Sequence, residues 1–467
     1  MFDDLSRLSR RRLLHGMLLT GVTLGGSLLA ACQSAAPTPA APTTAAAAAK
    51  PTTASAASAA SAVPAASAAA SASAKPAASP VANQAPAAAG TAPVSVKLGA
   101  SVGLTGRYAS GGEQIKNGYE LAIKDINASG GAMVKAFGKK IPLEIQILDD
   151  ASDANQTAQR METLNNSGIL AYFGGFGSDL HAAAAAVAEK NKVPYVGVAF
   201  ALFSIHQQGY KYLFSPFPKS PQLTKAIFDL MDTVSPKPTK IAIFAEKTDW
   251  GAEMENGWKQ QAASHSGYDI VVDEQYAPGS TDFSNMVLKA KTANPDAVLM
   301  VPTPPDGIAI IKQMKELDVN PKLVNVIRAS DSGAWSTALG KDGDFTIGAP
   351  GWGADLKFPG NAEMVKAYQA TYNKPPEGVV GAAYGVVQVL ADALSRADSF
   401  DRDGLRTAIA ATNMQASVIG PISFNPDGTG NVVTIYEQWQ SGKQVTVWPL
   451  DQVGGPFQYP AKPFSQR

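Results

Sequence analysis

The stretch Ile241-Ala-Ile-Phe-Ala245 decides the class of fold, because an unbroken apolar run leaves no polar face for water. A second run, Ala297-Val-Leu-Met-Val301, has the same character. Short apolar runs without alternation are typical of strands buried on both faces, as in parallel sheets covered by helices. The sequence therefore predicts an α/β fold built around these strands.

Between the predicted strands, apolar residues recur at the spacing of one helical face. Alternating strands and helices build a parallel sheet with helices on both sides. One series ends near Lys219 and another begins, which predicts two doubly wound lobes. Ligands of such lobes bind beyond the carboxyl ends of the strands, and with two lobes that position is the cleft between them. The clearest helical stripes are Ile115, Tyr119, Ala122 and Ile126, and Leu223, Ile227, Leu230 and Val234.

The 467-residue chain divides by composition into a head, 1–32, a linker, 33–93, and a body, 94–467. In the linker, 53 of 61 residues are Ala, Ser, Pro or Thr, whereas the body has ordinary globular composition. A body of this length exceeds what one hydrophobic core usually supports, which again favours two lobes. Its net charge of −4 argues against a nucleic-acid partner, which requires a basic surface.

The head has the features of an export signal ending at a lipid-modified cysteine. An arginine cluster precedes the apolar segment 13–31, which ends in Leu29-Ala30-Ala31-Cys32. This ending resembles the lipobox of bacterial lipoproteins, and Cys32 is the only cysteine in the chain. We therefore predict lipid attachment at Cys32; the alternative is a buried cysteine in a cytosolic N-terminal helix.

Ser9-Arg10-Arg11-Arg12-Leu13-Leu14 also resembles the twin-arginine export motif, although arginine clusters occur in general-pathway signals too. The linker that follows is predicted to be a disordered tether, because its composition cannot bury enough apolar surface to offset ordering. A wall-spanning or O-glycosylated stalk is the competing interpretation.

The residues that most enzyme chemistries require are scarce in the body. Its histidines are His181, His206 and His265, and no pair has metal-ligand spacing. No body cysteine, nucleophile elbow or phosphate-binding loop is present, and Gly174-Gly-Phe-Gly177 lacks the third glycine of a dinucleotide motif. We therefore predict no catalytic residues, no metal and no cofactor.

Eight short motifs, in order, resemble one family. Together they identify the chain as similar to the leucine/isoleucine/valine-binding family of type I periplasmic solute-binding proteins, over nearly all of residues 94–448. The motifs are Leu104-Thr105-Gly106, Glu120 to Asn127 before Gly130-Gly131, Leu148-Asp-Asp150 before Asp153-Ala-Asn-Gln156, Val187-Ala-Glu before Val193-Pro194, Gly279-Ser-Thr-Asp282-Phe283, Asn294-Pro-Asp296, Ala382-Ala-Tyr384-Gly and Gly420-Pro-Ile-Ser-Phe424.

This resemblance implies two lobes joined by three crossing segments. Lobe I is expected at 94–218 with 352–426, and lobe II at 219–351 with 427–467. It also implies a monomer that binds a small molecule and delivers it to the membrane permease and ATPase subunits of an ABC importer. With the head, it places the protein outside the cytoplasm, lipid-anchored to the outer face of the membrane. The alternatives are a ligand sensor of the same fold, which reports to a membrane or cytosolic partner, and an exported enzyme.

From lobe I, the resemblance carries Ser178 over as a ligand for the substrate carboxylate, with a plain N-cap as the alternative. Physically, a serine at a helix N-terminus offers a hydroxyl and free N–H groups to an anion. The next contact loop holds Ala199 and Ala201, and Ala201 stands where amino-acid receptors carry Thr or Ser. Tyr108 and Phe176 are expected to make the cleft aromatic.

From lobe II, Trp250 matches an aromatic residue that covers the ligand, with a solvent-facing tryptophan as the alternative. Thr303 stands where amino-acid receptors often have Tyr. Arg328 stands near the position where they tend to have an acid for the ammonium group, and Asp331 is the first acid after it. Arg328 would favour a carboxylate with an apolar or aromatic body, or would only pair with a surface acid. As a residue facing the cleft, Arg328 is expected to contribute little to stability.

Overall fold

The structure of the chain, a computed structural model, describes residues 90–467. The predicted export signal, Cys32 and residues 33–89 of the predicted tether lie outside the described residues. Within residues 90–467, no helix combines the length and apolar character that a membrane crossing requires.

The elements of residues 90–467 are numbered in chain order. The strands are β1 (Val96–Val102), β2 (Ala132–Val134), β3 (Lys139–Ile141), β4 (Leu143–Asp149), β5 (Ala171–Phe173), β6 (Tyr195–Val196), β7 (Leu213–Phe214), β8 (Lys240–Glu246), β9 (Asp269–Tyr276), β10 (Ala297–Met300), β11 (Leu323–Val326), β12 (Thr346–Gly348), β13 (Asn413–Met414), β14 (Ile422–Phe424), β15 (Gly430–Asn431), β16 (Tyr436–Gln440) and β17 (Lys443–Trp448). The α-helices are α1 (Ala109–Ala128), α2 (Ala154–Asn166), α3 (Ser178–Asn191), α4 (Ser220–Asp232), α5 (Asp249–Ser264), α6 (Ser284–Ala293), α7 (Pro304–Glu316), α8 (Ala334–Leu339), α9 (Asn361–Tyr372), α10 (Val380–Arg396) and α11 (Arg402–Ala410).

The first sheet is parallel throughout and has the strand order β4-β1-β5-β6-β7. The chain starts near the middle of the sheet and winds outward in both directions, which is the doubly wound arrangement. Residues of α1 and α10 pack in one hydrophobic core with β1, and residues of α2 and α3 pack in another with β5 and β6. Helices therefore cover both faces, as buried parallel strands require.

The second sheet has the order β17-β16-β12-β11-β10-β8-β9, and its five strands from β12 to β9 are parallel. β16 and β17 add an antiparallel edge that the apolar pattern did not predict. They form a hairpin whose turn residues, Ser441 and Gly442, both have positive φ. This geometry matches the right-handed twist of paired strands. Helices α4 and α5 pack on one face of the sheet, and α6 and α7 pack on the other.

Three segments connect the two sheets: one follows β7, one follows β12, and one lies between β14 and β16. The first and third segments meet where Ser215 pairs with Thr429 in an isolated bridge. The predicted fold, two doubly wound α/β lobes joined by three crossings, is confirmed. Because both sheets are parallel at their centres, the carboxyl ends of β1, β5, β8 and β11 lead into the loops that form the cleft.

Candidate ligand-binding cleft

Two adjacent cavities lie between the lobes and share Ser178, Trp250 and Arg328 in their walls. The inner cavity has a volume of about 20 Å³, which is room for about one water molecule. The outer cavity has about 280 Å³ and carries the polar side chains Asp179, Glu246, Thr248 and Asp249. The inner walls are mostly apolar and include Phe200, Phe217, Leu223, Ile327 and Ala349.

Ser178 is the first residue of α3, and Gly177 is the cap before it. Gly177 has a φ of 107°, and a Cβ atom there would lie 2.6 Å from the Tyr108 ring, so only glycine fits. The Ser178 hydroxyl oxygen instead accepts hydrogen bonds from the backbone N–H groups of Ala201 and Leu202, both at 3.3 Å. The plain N-cap interpretation of Ser178 is therefore wrong. Its side chain ties the start of α3 to the 199–202 loop, and its own hydroxyl proton remains available to a ligand.

Three other residues that were predicted for the lobe I wall line the same cavity as Ser178. Phe176, Ala199 and Ala201 line the inner cavity beside Ser178. Ala199 has a φ of 53°, which turns the loop back toward α3. Because Ala201 carries no hydroxyl, the backbone and Ser178 supply the polar groups of this wall.

Arg328 is buried at the carboxyl end of β11, with 6% of its side chain exposed. Its guanidinium forms an ion pair with Glu246, whose side chain is 2% exposed. It also donates hydrogen bonds to the carbonyls of Pro302 at 3.0 Å and Val301 at 2.7 Å. Burial, the largest single influence, opposes charge on this side chain, but the Glu246 carboxylate together with Tyr108, Asp179 and Tyr276 outweighs it and raises the pKa of Arg328. The expected surface ion pair is therefore wrong, because both side chains are buried. Since loss of Arg328 would leave a buried carboxylate unpaired, we now expect a large contribution of Arg328 to stability in place of the small one.

Tyr108 joins the lobes through its hydroxyl group. This group accepts a hydrogen bond from Arg328 Nη1 at 3.2 Å and donates one to Asp179 Oδ1 at 3.0 Å. Asp179 also forms an ion pair with Arg107. Burial raises the pKa of Tyr108, so the hydroxyl keeps its proton and can serve both partners. The result is a continuous polar chain from the first turn of α3 to the end of β11.

Trp250 lies in the first turn of α5 and is 5% exposed, so the solvent-facing interpretation is wrong. The Arg328 guanidinium carbon lies 4.9 Å from its ring, within the range of a cation–π contact. Its indole Nε1 is buried without a hydrogen-bond partner and is therefore a free donor at the cavity wall. Thr303 has a different local role: its hydroxyl accepts a hydrogen bond from the Asp306 N–H as the cap of α7.

Asp331 lines the inner cavity and is buried, and its Oδ1 has no hydrogen-bond partner. Burial raises the pKa of Asp331 to about 7. Glu437 is also buried, with an unpartnered Oε2, and burial raises its pKa well above the usual range. Asp331 is thus an acidic group at the cavity whose acceptor atom is unused.

The sequence did not indicate three residues that shape this site. Glu246 ends the buried strand β8. An acidic residue at the carboxyl end of a parallel strand is the sequence signal that could have identified it as a site residue. Phe217 and Lys219 lie on the first crossing, where no periodic pattern exists. The described residues 90–467 contain no group of three or more His, Asp or Glu side chains that could hold a metal ion.

Comparison with known proteins identifies the family. Residues 95–443 match the family model described as "Periplasmic binding protein". The Leu/Ile/Val-binding protein homolog 8 of Brucella melitensis is 27% identical over 379 residues, covering 76% of this chain and 90% of the relative. This chain belongs to the leucine/isoleucine/valine-binding family of periplasmic binding proteins. A second relative of this chain, the Leu/Ile/Val-binding protein homolog 7 of Brucella abortus, is 26% identical over 387 residues, covering 77% of this chain and 94% of the relative.

Solved structures show the same fold as this family member. The branched-chain amino acid transporter substrate binding protein LivJ from Streptococcus pneumoniae, in complex with isoleucine, has a TM-score of 0.67 and 22% identity, covering 75% of this chain and 97% of that one. A solute binding protein from R. palustris in complex with benzoate has a TM-score of 0.66 and 20% identity, covering 78% and 97%. The predicted family resemblance and the type I fold are both confirmed.

Proposed function

We propose that this chain is the extracytoplasmic, lipid-anchored solute-binding subunit of an ABC importer, and that it binds a small amino acid or carboxylate between its lobes. The observation that carries the proposal is that Ser178, from one lobe, and Trp250 and Arg328, from the other, converge on the same two cavities. Family membership supports solute binding. The isoleucine and benzoate complexes of structural neighbours support a ligand with a carboxylate.

In this proposal the ligand carboxylate lies at the start of α3. The first N–H groups of a helix lack partners within the helix, and the Ser178 hydroxyl adds a donor beside them. The apolar body of the ligand rests on Trp250 and Phe176. An ammonium group, where the ligand has one, reaches the unused Oδ1 of Asp331.

Ala199, Ala201 and Tyr108 complete the binding wall in this proposal, and Thr303 supports Arg328 by capping the helix that follows Pro302. Ligand sites usually have volumes of about 300–1,000 Å³. Because the inner cavity is far smaller, the lobes must separate for a ligand to enter and then close on it. The hydrogen bonds that join the lobes include Arg328 to Tyr108 at 3.2 Å, the N–H groups of Phe203 and Ser204 to the Glu253 carboxylate at 2.7 and 2.9 Å, and the Gly333 N–H to the Glu377 carboxylate at 2.8 Å.

The lobes of the proposal are 94–218 with 352–426 and 219–351 with 427–467. The protein acts as a monomer without catalysis, held at the outer face of the membrane by lipid on Cys32 and passing its ligand to permease and ATPase subunits. A Cys32→Ser chain should lose membrane attachment while the body stays folded. Membrane fractionation with a lipid label tests this, and a Cys32→Ser chain that still carries the label would contradict it.

Binding is tested by calorimetric titration and thermal unfolding of the chain with leucine, isoleucine, valine and benzoate. At a ligand concentration of 100 Kd, binding should stabilise the protein by about 2.7 kcal/mol. Cells that lack the protein should also lose uptake of the same ligand. The proposed function is wrong if none of these carboxylates raises the unfolding temperature.

A further inference from the structure

Lys219 lies at the first crossing between the lobes, directly behind the wall of the inner cavity. Its side chain is 2% exposed. The ammonium nitrogen donates hydrogen bonds to the Phe200 carbonyl and to the Ser215 hydroxyl, both at 2.8 Å. It also lies 3.6 Å from the centre of the Phe200 ring, a close cation–π distance. The close partners of this nitrogen, a carbonyl, a hydroxyl and an aromatic ring, are therefore all neutral.

Among residues 90–467, no carboxylate forms an ion pair with Lys219. The charged and titratable groups that face it are Glu253 on α5, Asp427 after β14, His181 on α3 and His206 in the 203–208 helix. Neither carboxylate is close enough to form an ion pair with Lys219, and both influence it only through longer-range electrostatic attraction. Burial lowers the pKa of each histidine to about 3, so both rings are neutral. Burial likewise lowers the pKa of Lys219 well below its ordinary value, as expected for a cation without a counter-ion.

The position of Lys219 places this cation beside the proposed carboxylate site. The rings of Phe200 and Phe217, 3.6 and 5.9 Å from Nζ, both line the inner cavity. The residue after Phe200 is Ala201, whose N–H donates to the Ser178 hydroxyl. One layer of apolar side chains therefore separates the ammonium group from the part of the cavity next to Ser178. Little water lies between them to screen a charge.

We propose that Lys219 is a specificity-determining residue of this cleft: a ligand carboxylate on the Ser178 and Phe200 side of the cavity favours the protonated form of this side chain, whose positive charge has no ion-pair partner among residues 90–467, and is attracted to it. This inference rests on the proposed function. A buried cation is costly until an anion approaches it, so a ligand carboxylate gains attraction there that an uncharged amide does not. A lysine with a purely structural role would support both kinds of ligand equally.

The test is calorimetric titration of the chain with two matched pairs of probes: isoleucine with isoleucinamide, and benzoate with benzamide. Lys219→Gln removes the charge but keeps an amide donor for the Phe200 carbonyl and the Ser215 hydroxyl. We expect it to weaken binding of the carboxylate about tenfold or more and to leave binding of the amide unchanged. Lys225→Met is the matched control, because it removes one positive charge from the exposed face of α4, where Lys225 pairs with Asp229. It should change neither affinity.

The outcomes separate this inference from the proposed function. If the parent chain binds neither carboxylate, the proposed function is wrong and this inference falls with it. The parent chain could bind a carboxylate while Lys219→Gln weakens binding of the carboxylate and of its amide equally, or weakens binding of neither. In that case only the proposed role of Lys219 is overturned. Thermal unfolding of each variant shows whether it is folded, and Lys219→Met provides a second uncharged variant that cannot donate hydrogen bonds.

Discussion

The two walls of the cleft differ in whether a buried basic side chain has an acidic partner. In the wall from the second lobe, Arg328 is paired with Glu246 and donates to two carbonyls of the same lobe. Behind the wall from the first lobe, Lys219 has only neutral partners. A charge whose partner belongs to its own wall is already compensated and serves mainly the fold. A charge without such a partner remains available to an incoming anion.

The largest effect on stability is expected from Arg328→Met. Removing the guanidinium leaves Glu246 unpaired in the interior, which should lower the free energy of unfolding by about 3–5 kcal/mol. Chemical denaturation at pH 7 measures this loss. In the control, Arg328→Gln with Glu246→Gln removes both charges together and should recover most of the loss. A single variant as stable as the parent would show that the pair contributes nothing to the fold.

The next effect is a pH-dependent gain from Asp331→Asn. Burial raises the pKa of Asp331 from 3.8 to about 7, so the folded protein keeps a proton that the unfolded chain loses between these values. The free energy of unfolding of the parent therefore falls as pH rises from about 4 to 7, by up to about 4 kcal/mol. The amide of the variant cannot ionise, and the variant should be more stable than the parent at pH 8 and similar at pH 4. Thermal unfolding at both values tests this, and an equal difference at both would contradict it.

A smaller effect on stability is expected from Ser178→Ala in the first wall. The substitution leaves the buried N–H groups of Ala201 and Leu202 without their acceptor, at a cost of about 1–3 kcal/mol. It also removes the hydroxyl donor proposed for the ligand carboxylate, so carboxylate binding should weaken. Ser178→Thr keeps the hydroxyl and serves as the control. If Ser178→Ala bound the carboxylate as tightly as the parent, the carboxylate would lie elsewhere.

The smallest effect is expected from Tyr108→Phe, which acts between the walls. The hydroxyl of Tyr108 accepts from Arg328 and donates to Asp179. Its loss removes a bond that holds the closed lobes together, and one hydrogen bond is worth about 0.5–1.5 kcal/mol. Ligand affinity should fall by about tenfold at most, chiefly through faster dissociation, which stopped-flow displacement measures. A loss of several hundredfold would give Tyr108 a direct role in ligand contact.

The fold was predictable because the apolar patterns that specify its strands and helices lie within short segments of the sequence. Apolar runs such as 241–245 and 297–301 appear as β8 and β10, and the stripe through Leu223 and Ile227 appears as α4. The antiparallel β16 and β17 were missed because their pairing depends on where the third crossing returns the chain. The resemblance supplied the family, which composition and periodicity alone did not give.

The candidate site was predictable in position but not in chemistry. Ser178, Trp250, Arg328 and Asp331 were expected in the cleft, and all four line the inner cavity. The partner of Arg328 was not foreseeable, because Glu246 is 82 positions away in sequence and meets it only when β8 and β11 take their places in the sheet. The same holds for Lys219, whose burial depends on how the 199–202 loop folds over the first crossing.

The contrast between the walls is tested most directly by measuring the preference for a carboxylate over its amide in two charge-removing variants. One is Lys219→Gln, and the other is Arg328→Gln combined with Glu246→Gln, which has the same net charge as the parent. We predict that the first variant loses the preference by about tenfold or more, whereas the second keeps it. If the second variant lost the preference and Lys219→Gln kept it, the paired arginine would be the group that selects the ligand, and the contrast between the walls would be wrong.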